Sequence, residues 1–525
     1  MDIFRVFKGK KNTKAPEHQP KKIPLFKQID KNTEKIKQDL GNANDLIVRE
    51  FELKGVSGLK GIVLGIDGLI DSNQAEDFIV RVLMIDLSLV GDSGEKDRPL
   101  QTFKTIYQSR ISMMSASCGE NYTDLYDKLL TGQIIVILDG VAQFMAFDCK
   151  GWQMRSITAP ETEIATRGPK DSFVETIRVN TALVRRHIKD PRLRFDTYKV
   201  GRSSQTDVFV VYLEGVVNKE FVQIAKQRIE AIDISCITDS SQLMQLIEDH
   251  HWTVFPRLIE TERPDKVTAA VVHGAIAIMV DNTPFQIIAP SYFPMMFQTA
   301  DDYYNRPVIA TFERLLRYLA FMIVILIPGL YIAISTYHQE MIPTVLLVTI
   351  IDQRSANPFP TIVETLIIMT LFEILREASV RKPKAIGDSM TIVGSLIIGQ
   401  TLVQAGLVSS MVIIIGSLTA ISSFILSNIR LNNAVRILSF VFMLLGAEFG
   451  LYGITLGFLA LILHLCSLTT FNQPFMAPIA PFNLHDQEDQ FIRLPLSWMK
   501  YRPKIFNSPD RVQHNLENPK REEEV

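Results

Sequence analysis

Two hydrophobic rhythms divide this chain. Up to about residue 290, apolar residues come in short runs closed by Gly, Asp, Asn or Pro; beyond residue 314 the runs approach the roughly 20 residues that one membrane-spanning helix needs. In the first part, Phe51–Gly55 and Gly61–Gly68 read as two short strands around a turn, followed by an amphipathic run from Asp71 to Leu83. About 145 residues later the order recurs as Tyr198–Gly201, Asp207–Gly215 and the helical pattern Asn218–Ile229. Each unit closes with a hairpin signal, Asp139-Gly140 within 133–147 and Asp281-Asn282 within 275–288. The expected soluble part is α/β, with two similar subdomains over 46–160 and 161–290, related by duplication or by chance. Ser172-Phe-Val-Glu175 has capping-box form and predicts a connecting helix with Phe173, Ile177, Val184 and Ile188 on its apolar face. The opposite face carries Arg178, Arg185 and Lys189, leading to Arg192, Arg194 and Arg202. This strip is either a solvated, salt-bridged face or a surface for phosphates or an acidic partner.

Charge sharpens the boundary. Between Tyr318 and Asp486 there are 14 Asp, Glu, Lys or Arg residues against 98 elsewhere, and Ser389–Ile429 has none. Residues 314–485 therefore predict a polytopic α-helical membrane domain of about six short spans, near 318–336, 359–378, 387–405, 408–427, 435–448 and 450–468. Ile342–Ile351 is too brief to span and reads as a surface or re-entrant piece. Residues 291–313 form a connector and 486–525 a cytoplasmic C-terminal tail. Arg306, Arg314 and Arg317 precede the first span; Arg376, Arg381, Lys382 and Lys384 follow the second; Arg430 and Arg436 follow the fourth; and Lys500, Arg502 and Lys504 follow the last. The loops between carry only Arg354, so both ends are expected on the cytoplasmic side. The first 30 residues are lysine-rich without the apolar core of a signal peptide, and residues 1–45 are expected to form a disordered basic tail, solvated or touching lipid.

Within the spans, small residues recur at helical spacing: Gly387, Ser395 and Gly399; Gly416; Gly446, Gly450 and Gly453. Such stripes allow close helix packing, inside one chain or between subunits. The polar residues at membrane depth are Glu364, Glu373, Gln400, Gln404 and Glu448. Glu373 stands three residues before Arg376, which suggests an interfacial pair. Glu364 and Glu448 are the candidates to line an aqueous path, with Gln400 and Gln404 lining it too or crosslinking helices.

Composition removes other classes. With 55 basic and 57 acidic residues there is no global basic field, and nucleic acid is not an expected partner. Cys118, Cys149, Cys236 and Cys466 lie far apart and read as reduced, buried thiols, while the adjacent His250 and His251 read as a solvated loop. The glycines at 55, 58, 61 and 65 lack the Gly-Lys-Ser/Thr ending of a phosphate loop. No triad, metal-ligand spacing or nucleotide fingerprint is present, so neither an enzyme nor a cofactor is expected.

Several longer motifs carry a family resemblance. Arg167-Gly-Pro-Lys-Asp-Ser-Phe-Val-Glu-Thr-Ile-Arg-Val-Asn-Thr-Ala-Leu-Val-Arg-Arg186 and Lys189-Asp-Pro-Arg-Leu-Arg194 resemble the A subunits of bacterial spore germinant receptors, the GerA family. So do Thr261–Asp265, Asp302-Tyr-Tyr304, Asn357-Pro-Phe-Pro360, Glu373–Glu377 and Ile398–Leu407. The likeness covers roughly 54–481. It departs at Gly201–Asp207, which replaces a more basic segment, and at Ser427-Asn428, where the family often has proline. The resemblance implies a multi-pass protein of the spore inner membrane, in contact with lipid. It further implies work with a transporter-like B subunit and a lipoprotein C subunit, and assembly as a homo-oligomer into a ligand-gated ion channel that initiates germination. A secondary transporter, or a scaffold relaying germinant binding to a separate channel, are the alternatives.

Overall fold

A computed structural model describes residues 23–53, 59–71, 75, 98–107, 116–151, 159–249, 252–355, 357–380 and 399–514. Most of the amphipathic run 71–83, His250, His251, Gly387, Ser395 and residues 387–398 of the expected span 387–405 lie outside these.

The first unit contains α1 (Ile29–Asp39), β1 (Leu46–Glu52), β2 (Lys60–Ile66), α2 (Arg98–Thr105), β3 (Ala116–Gly119), α3 (Tyr122–Leu130), β4 (Gln133–Leu138) and β5 (Phe144–Asp148). The second contains α4 (Ile177–His187), β6 (Leu193–Val200), β7 (Thr206–Leu213), α5 (Lys219–Glu230), α6 (Ser240–Ile247), β8 (Ile259–Thr261), α7 (Pro264–His273), β9 (Ile276–Val280) and β10 (Gln286–Ala289). The sheets are ordered β1-β2-β4-β5-β3 and β6-β7-β9-β10-β8, antiparallel throughout. Strand by strand these are one topology used twice, which supports duplication. Alternation along β4 shows why its run is apolar throughout. Ile135 and Ile137 face a cluster with α1 and α3, whereas Ile134, Val136 and Leu138 face another with Phe103 and Ile106.

Three expectations about this part change. Residues 29–45 are not a disordered tail, because Ile29, Ile36 and Leu40 form a stripe among the lysines and are buried against the first sheet. The helix expected from Ser172 starts at Ile177, whose backbone N–H donates to Asp281 at 3.0 Å. Residues 172–175 lie outside it, with the Ser172 hydroxyl 3.2 Å from the Glu262 carbonyl. Of the four thiols, only Cys149 is buried; the other three are exposed.

After the sheets come α8 (Ala300–Tyr304), α9 (Pro307–Tyr337), α10 (Thr344–Ser355), α11 (Thr361–Val380), α12 (Ser410–Ile425) and α13 (Ile429–Ser467). The first bundle helix thus begins inside the expected connector, with Pro307 at its first turn. Residues 342–351 belong to the exposed helix α10, with Val345 84% and Val348 61% accessible. Among the described residues, two helices, α9 and α13, are long and apolar enough to cross a membrane.

α13 is broken at Gly450, where φ is 58° and ψ −145°. A side chain at Gly453 would meet the Leu445 carbonyl at 2.4 Å, and one at Gly457 would meet Leu445 and Phe442. Residues fifteen apart in a continuous helix would be about 22 Å apart, so the two legs fold back on each other as a hairpin. The break falls between the expected spans 435–448 and 450–468. Both ends return to the soluble part: Arg430 pairs with Glu260, and His464 lies 3.0 Å from Thr253.

Candidate functional site

The soluble part grips the bundle through a buried ion cluster. Asp302 sits in the first turn of α8, held by a capping box in which the Thr299 hydroxyl lies 3.0 Å from its Oδ1. Arg317 donates to both Asp302 oxygens at 2.9 and 2.8 Å and to the Phe297 carbonyl at 2.9 Å. Arg314, one turn earlier in α9, donates to Asp302 at 3.1 Å, to Asp489 Oδ1 at 3.1 Å and to the carbonyls of Asp489 and Gln490. Asp302 and Arg314 are both fully buried. Burial pushes the Asp302 carboxyl up, but the Arg317 hydrogen bonds and the two guanidiniums outweigh it and hold it below the usual carboxylate range. Burial and the neighbouring Asp489 hold the Tyr303 hydroxyl protonated, donating to Asp489 at 2.7 Å.

The expected C-terminal tail is therefore part of this junction. Arg493 donates to the carbonyls of Asn305 and Tyr303, Arg502 to that of Val272, and Asp486 accepts from the backbone of Lys504 and Ile505. Residues 485–514 strap α9 to the second soluble unit. Sequence reasoning used Arg314 and Arg317 only as topology markers and passed over Asp489. The available signal was Asp302-Tyr-Tyr304 lying twelve residues before an arginine pair.

A second buried pair joins the two soluble units. Arg185, expected on a solvated basic strip, is 1% exposed and donates to Asp45 at 2.7 and 3.1 Å. Arg194 reaches the Asp39 carbonyl, and Arg178 pairs with Asp67. Arg202, in the turn that departs from the family pattern, pairs with Asp233. In each case the strip's described arginines meet acidic or carbonyl oxygens of this chain.

In the bundle the expected polar residues do not converge. Glu364 is 1% exposed and accepts from the Ser409 backbone N–H at 3.0 Å and the Asn357 amide at 3.3 Å, tying α11 to the start of α12. Glu448 is exposed beside the Gly450 turn, where the Tyr337 hydroxyl donates to its carbonyl. Gln400 and Gln404 are also exposed, and Gln400 lines a cavity together with Glu373 and Arg376. Glu373 pairs with Arg436 of α13 rather than with Arg376, because α11 and α13 bring that guanidinium across the bundle.

The small residues have distinct positions. Gly446 and Gly329 face each other so closely that a side chain on either would meet the other helix's carbonyl, at 2.5 and 2.6 Å. Gly416 lets Ile368 and Phe372 of α11 approach α12, Gly453 meets Leu445 across the hairpin, and Gly399 lies near Ile413. Gly450, expected in a packing stripe, is the turn itself. Asn428, where the family often has proline, caps α13 by accepting from Leu431.

The description Bacillus/Clostridium GerA spore germination protein matches residues 34–505. Spore germination protein KA of Bacillus subtilis (strain 168) is 37% identical over 94% of this chain and 89% of its own length. Spore germination protein GerLA of Bacillus cereus is 36% identical over 90% and 95%. The crystal structure of the N-terminal domain of the A subunit of the Bacillus megaterium spore germinant receptor GerK3 covers 52% of this chain and 98% of its own, with 33% identity and a TM-score of 0.41.

Proposed function

Because the chain belongs to the Bacillus/Clostridium GerA family of spore germination proteins, we propose that it is the A-type subunit of a nutrient germinant receptor in the spore inner membrane. Its soluble part sets the state of its bundle, and copies of the bundle form a ligand-gated ion path. The Asp302–Arg314–Arg317–Asp489 cluster carries the first half of this reading. It fixes the start of α9 to the C-terminal strap and to α8, which Tyr304 and Asp301 tie to Asp265 and Thr166 of the second soluble unit, so a displacement of either is transmitted to the helix on which α12 and α13 pack. Exposed Gln404 and Glu448 on a largely apolar bundle surface support the second half. At membrane depth such groups face a subunit contact, water or headgroups rather than acyl chains.

On this reading α9, α11, the expected span 387–405, α12 and the two legs of α13 make six crossings, which leaves both chain ends on the cytoplasmic side. A transporter-like B subunit and a lipoprotein C subunit complete the receptor. The Glu364 geometry favours a second reading, a scaffold that relays the signal, since that carboxylate is occupied as a helix tie. Reconstitution with the partner subunits in bilayers tests both. Nutrient-dependent conductance that shifts with Glu448→Gln or Gln404→Leu supports the ion path; conductance unchanged by both supports the scaffold. Absence of conductance from the assembled subunits refutes the channel.

A further inference from the structure

On the side of the bundle nearer the soluble units, α9, α11, α12, the first leg of α13 and the segment at Gly399-Gln400 line a half-open cavity of about 480 Å³. That is within the range of about 300–1,000 Å³ typical of small-molecule sites. Val324, Met369, Phe372, Ile413 and Phe424 give it apolar walls. Among the described residues its charged groups are Glu373, Arg376 and Arg436, two guanidiniums against one carboxylate. Glu373 and Arg436 satisfy each other. Arg376 is half-buried in the lining and, among the described residues, has neither a carboxylate partner nor a hydrogen-bond acceptor. The Ser439 hydroxyl, also in the lining, is fully buried and without a partner.

An unpaired guanidinium taken out of water is costly, and its planar fork of donors is matched best by an oxyanion. The position of the site narrows the choice. Arg436 lies six residues, about 9 Å of helix, beyond Arg430, which reaches Glu260 of the soluble part. The basic edge is thus near the depth of lipid headgroups on that face, and the apolar walls extend away from it. We propose that this cavity holds an anionic phospholipid, its phosphate on Arg376 and an acyl chain along Val324, Phe372 and Phe424. Basic pockets between spanning helices on the cytoplasmic side recognise such headgroups.

The proposal rests on the bundle lying in lipid, and an alkaline carbonate wash of membranes carrying the full chain separates the two ideas. Release of the chain refutes the membrane reading itself. With the chain retained, the protein is reconstituted in vesicles of equal parts phosphatidylglycerol and phosphatidylcholine, extracted in mild detergent, and its bound lipid counted by native mass spectrometry. The wild-type chain should retain phosphatidylglycerol over phosphatidylcholine by at least about fivefold, the factor one basic group gives near a membrane surface. Arg376→Gln should bring the ratio near one, and Arg376→Lys should keep most of it. Ala420→Phe, which fills the cavity, should lower retention of both lipids. Equal ratios in wild type and Arg376→Gln overturn the proposal. So does displacement of the lipid by inorganic phosphate at matched concentration, which would assign the site to a free anion.

Discussion

Asp302→Asn tests the junction most directly. The substitution removes the one carboxylate that both Arg314 and Arg317 share, at a position with no solvent access. Arg314 keeps Asp489 and two carbonyls, but Arg317 keeps only the Phe297 carbonyl and half-exposed Glu313, 3.9 Å away. Breaking a buried pair by neutralising one partner costs about 3–5 kcal/mol. An asparagine can still cap α8, so the helix-capping contribution of about 1 kcal/mol is largely retained. A loss of about 3 kcal/mol corresponds to roughly 6–12 °C in the unfolding midpoint of a unit of 150–250 residues. Thermal unfolding of the detergent-solubilised chain, followed by intrinsic fluorescence, measures this. Because the penalty comes from a stranded charge, Asp302→Asn combined with Arg317→Met should recover part of the loss. Glu260→Gln, whose partner Arg430 is one-third exposed, should cost about 1 kcal/mol or less. If Asp302→Asn shifts the midpoint no more than Glu260→Gln does, the junction is not held by this cluster.

Asp45→Asn strands Arg185 between the two soluble units and should destabilise them by about 3–5 kcal/mol in denaturant unfolding, with Asp45→Asn plus Arg185→Met milder. Gly450→Ala imposes a side chain on a backbone conformation reserved for glycine and should cost about 1–3 kcal/mol. Gly457→Ala, whose close contact is the flexible end of Leu445 with the Phe442 ring at ordinary distance, should cost clearly less; equal thermal shifts would contradict the hairpin. His485 has its imidazole 3.4 Å from Asp486, and that carboxylate raises its pKa above the usual imidazole value. Its contribution to docking the strap is therefore complete below the unfolded pKa and lost as pH rises through the higher folded value. Hydrogen exchange over residues 485–514 should accelerate as pH rises from the unfolded toward and past the folded pKa, beyond the intrinsic rate change. His485→Ala should abolish that excess.

The hydrophobic pattern carried much of the fold. Strand runs closed by Asp139-Gly140 and Asp281-Asn282 specify hairpins locally, because a tight turn between two apolar runs leaves few other ways to pair backbone groups. The recurrence of that pattern announced one topology used twice, and the loss of charge after Tyr318 announced a change of solvent. The helix at Ile29–Asp39 was hidden because its six charged residues outnumber its three core contacts, so burial of a narrow stripe decided the outcome.

What sequence could not decide is who meets whom. Arg185 and Asp45 are 140 residues apart and Arg314 and Asp489 are 175 apart. Read along the chain, each is simply a charge on a polar face. Their burial follows from how sheets, helices and strap close around them, and the low polarity of that enclosure turns surface residues into structural ties. Likewise Gly450 and Gly453 are equal members of a small-residue stripe in sequence, while the fold makes one a turn and the other a contact. Local periodicity determines what an element is; only the long-range packing determines which of its charges lose water and must find a partner.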